Sequence, residues 1–250
     1  MINVKTRQRI RSGLLIISLL LFPITIWYMS PYLIIMGATE GVISGSAILF
    51  VLLFLGSMFG GRVFCSYLCP MGGLAECLSP INSKTVIKKK SVWLKPVLWS
   101  IWIGSIITIF FTSGKEYKTD PLYQTFHGIS IANPYGYIVY YGVIVLVLLA
   151  SLLIGKRAFC HYFCWMSMFM ILGIKMRRLL HMPGLRIVSE PQKCIECLQC
   201  DKHCPMGLPV SKLFSEGEIK ENECIQCGAC VDHCPNAVLH YGMRAMREKV

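Results

Sequence analysis

The sequence predicts a membrane α-helical protein: four transmembrane helices forming two parallel-repeated hairpins, followed by a cytoplasmic α+β domain organised around cysteines. Three observations carry this. The 250-residue chain is 54% hydrophobic and only 15% charged, with a mean hydropathy of +0.56, too apolar for an ordinary soluble domain. A short cysteine motif occurs twice in its apolar part. The C-terminal part carries two cysteine runs of identical spacing.

The expected spans are the apolar blocks Gly13 to Met29, Val42 to Phe59, Val97 to Thr112 and Tyr137 to Ile154, each near the ~20 residues that a hydrocarbon core of ~30 Å demands. The first ends in Ile-Trp-Tyr-Met-Ser-Pro, without a small-x-small cleavage site, and reads as a retained anchor and not as a signal peptide. Charge placement orients the hairpins. Among 25 Lys and Arg, only Lys115 and Lys118 fall in the segments assigned outside. Lys5, Arg7, Arg9, Arg11, Lys88 to Lys90, Lys156 and Arg157 lie on the other side. Both termini are therefore expected in the cytoplasm, with the chain in the cytoplasmic (cell inner) membrane. The net charge of +12 then belongs to solvated faces and lipid headgroups, and no nucleic-acid partner is expected.

At the end of the second block stands Gly60-Gly-Arg62-Val-Phe64-Cys65-Ser-Tyr67-Leu-Cys69-Pro70-Met71. After the fourth block the pattern returns, with Gly155, Arg157, Phe159, Cys160, Tyr162, Cys164 and Met166 in the matching places. Pro70 suits the first position of a new helix, which makes Cys69 its N-cap and gives a thiolate there the benefit of the helix dipole. The parallel repeat should bring Cys65, Cys69, Cys160 and Cys164 together at the membrane edge, as redox-active thiols or as the four ligands of a third iron–sulfur cluster. Trp165 replaces the proline in the second copy, and Cys77 has no counterpart.

The boundaries follow: 1–165 transmembrane domain, 166–188 interfacial helix and linker (a basic, Met-rich stretch), and 189–250 soluble domain. In the last, Cys194, Cys197, Cys200 and Cys204-Pro205 are followed by Cys224, Cys227, Cys230 and Cys234-Pro235, each the bacterial ferredoxin run. The short gaps wrap three corners of a cubane, and the fourth cysteine departs to the neighbouring cluster. Cys194, Cys197, Cys200 and Cys234 should hold one [4Fe-4S] cluster, and Cys224, Cys227, Cys230 and Cys204 the other. A zinc ribbon would use pairs, and a c-type haem needs Cys-x-x-Cys-His, which is absent.

Two such clusters pass single electrons. None of the histidines (127, 161, 181, 203, 233, 240) lies within an expected span, so axial ligands for a membrane haem are missing, and no flavin or dinucleotide fingerprint is present. Quinone is the membrane-soluble carrier that remains. Its site is expected on the inner half of the bilayer, where Arg62, Tyr67, Arg157 and Tyr162 offer cations and hydroxyls to its oxygens. Glu40, Asp120 and His127, on the outer side, read as solvated loop residues.

The doubled Cys-x3-Cys, the first followed by Pro, with a C-terminal double ferredoxin run, resembles the NapH and NosR group of membrane iron–sulfur proteins, with the RdxA/CcoG cupric reductases as relatives. The resemblance spans nearly the whole chain and implies quinol oxidation feeding a partner redox protein, an iron–sulfur or flavin subunit. It matches Cys65, Cys69, Cys160, Cys164 and all the ferredoxin-run cysteines. The large outer domains of NosR-like proteins and of the cupric reductases have no counterpart in this sequence. Two other functions fit the same motifs: cupric reduction for oxidase assembly, and a non-catalytic anchor or regulatory scaffold carrying clusters.

Overall fold

A computed structural model describes residues 4–85, 93–131, 134–213, 219 and 221–244. The basic run at 88–90 lies outside them.

Two helices among the described residues are long and apolar enough to cross a membrane, α7 (Leu94–Ser113), and α8 (Pro134–Leu153) over its Gly136–Leu153 stretch. Their sides are exposed and apolar, with Ile101, Phe111, Ile138 and Leu153 pointing away from the protein. The other two expected spans take different forms. The first is broken: α1 (Val4–Leu20) ends just before Pro23, and a short helix α2 (Phe22–Thr25) and a 3-10 turn (Trp27–Met29) lead to α3 (Pro31–Glu40). Proline lacks a donor and fixes φ, so it suits the first turn of a helix and interrupts a longer one. The second begins as a strand, β1 (Val42–Ser44), paired with β2 (Lys118–Asp120), before the 16-residue α4 (Gly45–Gly60). Ser44 caps α4 by accepting from Ala47 N–H.

The two motifs do not simply emerge from their helices. Each folds back. After α4 come α5 (Val63–Tyr67) and α6 (Pro70–Cys77), and after α8 come α9 (Ala158–Tyr162) and α10 (Trp165–Leu179). α10 was expected to lie at the headgroups, but Met166, Met170, Ile171, Gly173 and Ile174 are buried. Phe50 packs edge-on against Phe169, and Gly173 lies against Ser57 and the Phe54 carbonyl, where any side chain would collide. α10 thus runs beside α4 in the same direction, as a core element. α6 lies against α1, with Gly73 at the Leu15 backbone.

The C-terminal unit starts before the expected boundary of 189. β3 (Gly184–Ser189) pairs antiparallel with β4 (Leu239–Arg244), Gly184 opposite Arg244 and Ser189 opposite Leu239, so the residues closing the expected linker are already sheet. Between these strands lie α11 (Gln199–Lys202), α12 (Val210–Leu213) and α13 (Ala229–Asp232). One buried core, from Phe22 and Phe50 through the motif cysteines to Ile225 and Leu239, joins this unit to the helices.

Candidate iron–sulfur sites

In each ferredoxin run the loop is shaped by two left-handed residues at matching places, Glu196 and Leu198 in the first and Gln226 and Gly228 in the second. Alternating conformations of this kind turn successive backbone N–H groups inward, making an anion-binding concavity. Glu196 N lies 3.4 Å from Cys194 Sγ, and Leu208 N the same distance from Cys204 Sγ. One cavity is lined by Cys194, Cys197, Cys200 and Cys234, and another by Cys204, Cys224, Cys227 and Cys230. The fourth cysteine of each run therefore sits with the other run's first three. Burial pushes the Cys200 and Cys224 thiols up to about 12 and Cys204 to about 11, so loading these sites with metal must expel protons. Both cavities suit cubanes by donor set and by apolar lining.

The fold-back brings the repeated motifs face to face. Cys65, Cys69, Cys160 and Cys164 are all buried and lie near enough to act on one another. Burial, and then the Cys65, Cys160 and Cys164 sulfurs, raises the Cys69 thiol. Cys164 is pushed up to about 12 by burial and by Cys160 and Cys65. Cys69 and Cys164 have nearly the same extended backbone before α6 and α10 (φ −81°, ψ 116° and φ −70°, ψ 108°), so Trp165 serves where Pro70 does. Among the described residues no three His, Cys, Asp or Glu side chains converge tightly enough for a single metal ion. Four thiolates spread around a cluster need no such convergence. Cys77 is exposed at the end of α6.

Around the four cysteines is a buried ionic shell. Arg62, fully buried, donates through Nη1 to Glu223 Oε2 and to the Asn222 carbonyl, both at 3.0 Å. Lys95 donates to Glu223 Oε1 at 2.7 Å and lies 3.4 Å from the Cys160 carbonyl. Arg157 donates to Glu76 Oε2 at 2.6 Å and to the Cys65 carbonyl at 3.0 Å, and Arg11 pairs with the same Glu76. Burial alone would raise the Glu223 carboxyl, but Arg62 and Lys95 outweigh it and hold the group at about 2. His161 Nε2 lies 3.1 Å from the Met206 carbonyl. As members of this shell, Glu76, Glu223, Lys95 and Arg11 escaped the sequence reading. For Glu76 and Lys95 the signal was there, since ionisable residues inside apolar runs such as Gly-Gly-Leu-Ala-Glu76-Cys and Leu-Lys95-Pro-Val-Leu are costly unless paired.

The expected quinone residues need correction. Arg62 and Arg157 are enclosed and committed to carboxylates, so neither cation reaches a lipid-facing opening. Tyr162 is buried, and Tyr67 sits among Arg7, Arg11 and Tyr241, where the helices meet the C-terminal unit. Of the residues expected on the outer side, Asp120 accepts from Leu122 N–H in a turn, while Glu40 and His127 are exposed.

Comparison with known proteins agrees with this division. A family model described as a 4Fe-4S binding domain matches residues 45–90 and again 135–183, one Cys-x3-Cys motif in each, and a 4Fe-4S dicluster domain matches 193–239. The chain is 26% identical over 163 residues (63% of this chain) to the uncharacterized protein MJ0750 of Methanocaldococcus jannaschii. It is 26% identical over 192 residues (73%) to the putative electron transport protein YccM of Escherichia coli, and 26% over 180 residues (70%) to the methylamine utilization ferredoxin-type protein MauN of Paracoccus denitrificans. The matches span 64%, 52% and 60% of those relatives' lengths. No solved structure matches. The chain carries 4Fe-4S ferredoxin-type domains, and the cysteines of its apolar half fall within regions of the same description.

Proposed function

We propose that this protein is a multi-pass membrane iron–sulfur electron carrier, working between the quinone pool and a partner redox protein, in the manner the NapH resemblance implies. In this reading both termini and the C-terminal unit lie on the cytoplasmic side. Cys65, Cys69, Cys160 and Cys164 hold a third cluster, beside the one at Cys204, Cys224, Cys227 and Cys230. The Cys194 cluster, whose loop exposes Ile195, Cys197 and Leu198, faces the partner.

The observation that carries the third cluster is a charge imbalance. Among the described residues, four buried cations, Arg11, Arg62, Lys95 and Arg157, lie around the cysteines with only two carboxylates, Glu76 and Glu223, between them. Arg62 Nε and Nη2 and Arg157 Nε are buried without hydrogen-bond partners. Uncompensated buried charge and orphan donors are both costly. Four thiolates around a doubly positive cubane carry a net charge of about −2, which offsets this excess alongside the neighbouring Cys224 and Cys227 sulfurs and offers sulfur acceptors to the orphan N–H groups. When bound, such a cluster accepts and releases one electron. The chain's own residues hold it dry, set its surrounding charge and fix its ligands: Arg157 grips the Cys65 carbonyl and Lys95 the Cys160 carbonyl. Relatives named as electron transport and ferredoxin-type proteins support the same reading.

The test is iron and acid-labile sulfide analysis of anaerobically purified full-length protein. About twelve of each per chain are expected, falling to about eight when Cys65 and Cys160 are both changed to Ser. About eight in the unchanged protein would remove the third cluster from the proposal. The soft contact of Cys65 Sγ with Met170 Sδ, at 3.5 Å, is the one feature that speaks for copper instead, and copper retention without the iron increment would favour that reading.

A further inference from the structure

Between the start of α3, the loop before α8 and the first turns of α8 lies a cavity of about 1130 Å³, its open mouth included. It belongs to none of the cysteine sites. We propose that it binds the ring of a quinone. This rests on the quinone reading above and moves the site from the neighbourhood of Arg62 and Arg157 to the opposite end of α8.

The cavity has the composition of a site for a flat, lipophilic ring with polar oxygens. Trp27, Tyr32 and Phe126 supply aromatic walls, and Met36 and Val139 aliphatic ones. Ser130 and Thr125 also line it, but their hydroxyls are spent within the protein: Ser130 accepts from Trp27 N–H and donates to the Ile24 carbonyl, and Thr125 donates to the Leu122 carbonyl. The Tyr32 hydroxyl and the Gln124 amide, which also reaches the Tyr123 hydroxyl beside it, are therefore the groups placed to meet ring oxygens. Gln124 and His127 both hold left-handed backbone conformations in this loop, at φ 60° and 50°. Residues other than glycine adopt these only at a steric cost, and such strain gathers at ligand-binding positions. Tyr32, Tyr137, Ile138 and Tyr141 are exposed nearby, giving an isoprenoid tail an apolar way out. A site for an acyl chain alone would not need an amide at its mouth.

The fold-back connects the cavity to the cysteines even though it lies at the other end of α8. Trp27 shares a turn with Met29, and the Met29 carbonyl accepts from Trp165 Nε1–H at 3.3 Å. Trp165 directly follows Cys164. The cavity wall and the four-cysteine site are thus joined by one helical turn and one hydrogen bond. The Trp102 indole, about 12 Å along α7 from Leu94, reaches the Pro31 carbonyl, which places this junction well inside the span and not at its edge.

Full-length, cluster-loaded protein in phosphatidylcholine vesicles would be photolabelled with an azido-naphthoquinone and reduced with menadiol, each quinol giving two electrons and two protons and so reducing two clusters by one electron each. Label is expected on residues 27–36 or 124–139. Gln124→Leu and Val139→Trp, the second filling the cavity, should raise the menadiol concentration for half-maximal cluster reduction about tenfold or more, the worth of one hydrogen bond or a lost fit. Dithionite should reduce both variants fully. Label elsewhere, or wild-type menadiol dependence in both variants, overturns the site while leaving quinone as the substrate. Competition by added phospholipid as effective as by unlabelled quinone assigns the cavity to an acyl chain and overturns it too. Absence of both labelling and menadiol reduction in the unchanged protein, with dithionite reduction intact, sinks the quinone reading itself. Should Val139→Trp lose its clusters, Gln124→Leu, an exposed loop change, decides.

Discussion

The two copies of the cysteine motif share a backbone at Cys69 and Cys164 but not at their arginines, φ −98° at Arg62 and 50° at Arg157, and they differ in what completes them. Arg157, in the second copy, finds its carboxylate in the first: Glu76, seven residues beyond Cys69. By the repeat, Arg62 should find a partner seven residues beyond Cys164, but that position is Ile171, buried and apolar. Glu223 of the C-terminal unit takes its place, adjacent to Cys224. Duplication thus accounts for the four cysteines. The missing carboxylate leaves the arginine of the first copy to the C-terminal unit, which supplies Glu223 at the joint between the halves. Gly61 fits the same account, since a side chain there would collide with Gln226.

The largest expected effect comes from truncating the arginines. Removing one partner of a buried ion pair costs about 3–5 kcal/mol, and here Arg11 and Lys95 remain to soften the loss toward the lower figure. Arg62→Ala and Arg157→Ala should be destabilised to a similar extent but in different places. Hydrogen exchange should rise first at 221–234 for Arg62→Ala, where Asn222 and Glu223 lose their anchor, and at 63–77 for Arg157→Ala, where the Cys65 carbonyl and Glu76 do. The same exchange pattern for both would mean that the arginines do not divide the labour this way.

This asymmetry marks the limit of what could be read beforehand. Cysteine spacing carries its own geometry, because short loops wrapping a cubane leave the chain few options, and both ferredoxin runs and the repeated motif were legible for that reason. Hydropathy located the apolar segments but not their course. A run such as 13–29 scores as a span whether or not Pro23 breaks it, and the Met-rich α10 reads the same on a membrane surface as against α4, since only tertiary contacts such as Gly173 on Ser57 distinguish the two. Glu223 was harder still. Its partner lies far away in sequence, and a lone glutamate before a cysteine run has no local pattern.

A smaller effect follows from pH. Burial would raise the Glu76 carboxyl, but Arg157 and Arg11 hold it below its ordinary value. A carboxyl depressed in the folded state adds stability that is fully present above its unfolded value, about 4.3, and is lost as pH falls through the folded one. Stability of the wild type should therefore decline on acidification below about pH 4.3, and Glu76→Gln should start lower and lose that part of the slope. Denaturant midpoints by circular dichroism between pH 3 and 7 measure the difference. An unchanged slope would show that Glu76 titrates normally.

The smallest expected effect tests whether the missing symmetry is energetic or only formal. Glu223→Gln leaves Arg62 and Lys95 facing a neutral amide, while Ile171→Glu alone buries a carboxylate among apolar neighbours at the cost of Ile packing. If position 171 is the true counterpart of position 76, the carboxylate introduced there reaches Arg62 when Glu223 no longer claims it. The double variant should then be more stable than the sum of the single losses allows, by about 1 kcal/mol, within the range found for residues sharing one network. The cycle needs four denaturation curves on cluster-loaded protein. Strict additivity would mean that Arg62 is oriented by Asn222 and Glu223 alone, so that the pseudo-symmetry of the backbone does not extend to the ionic shell. Coupling would mean that the second copy could still complete the first, and that the C-terminal domain holds its position by supplying a carboxylate the repeat lacks.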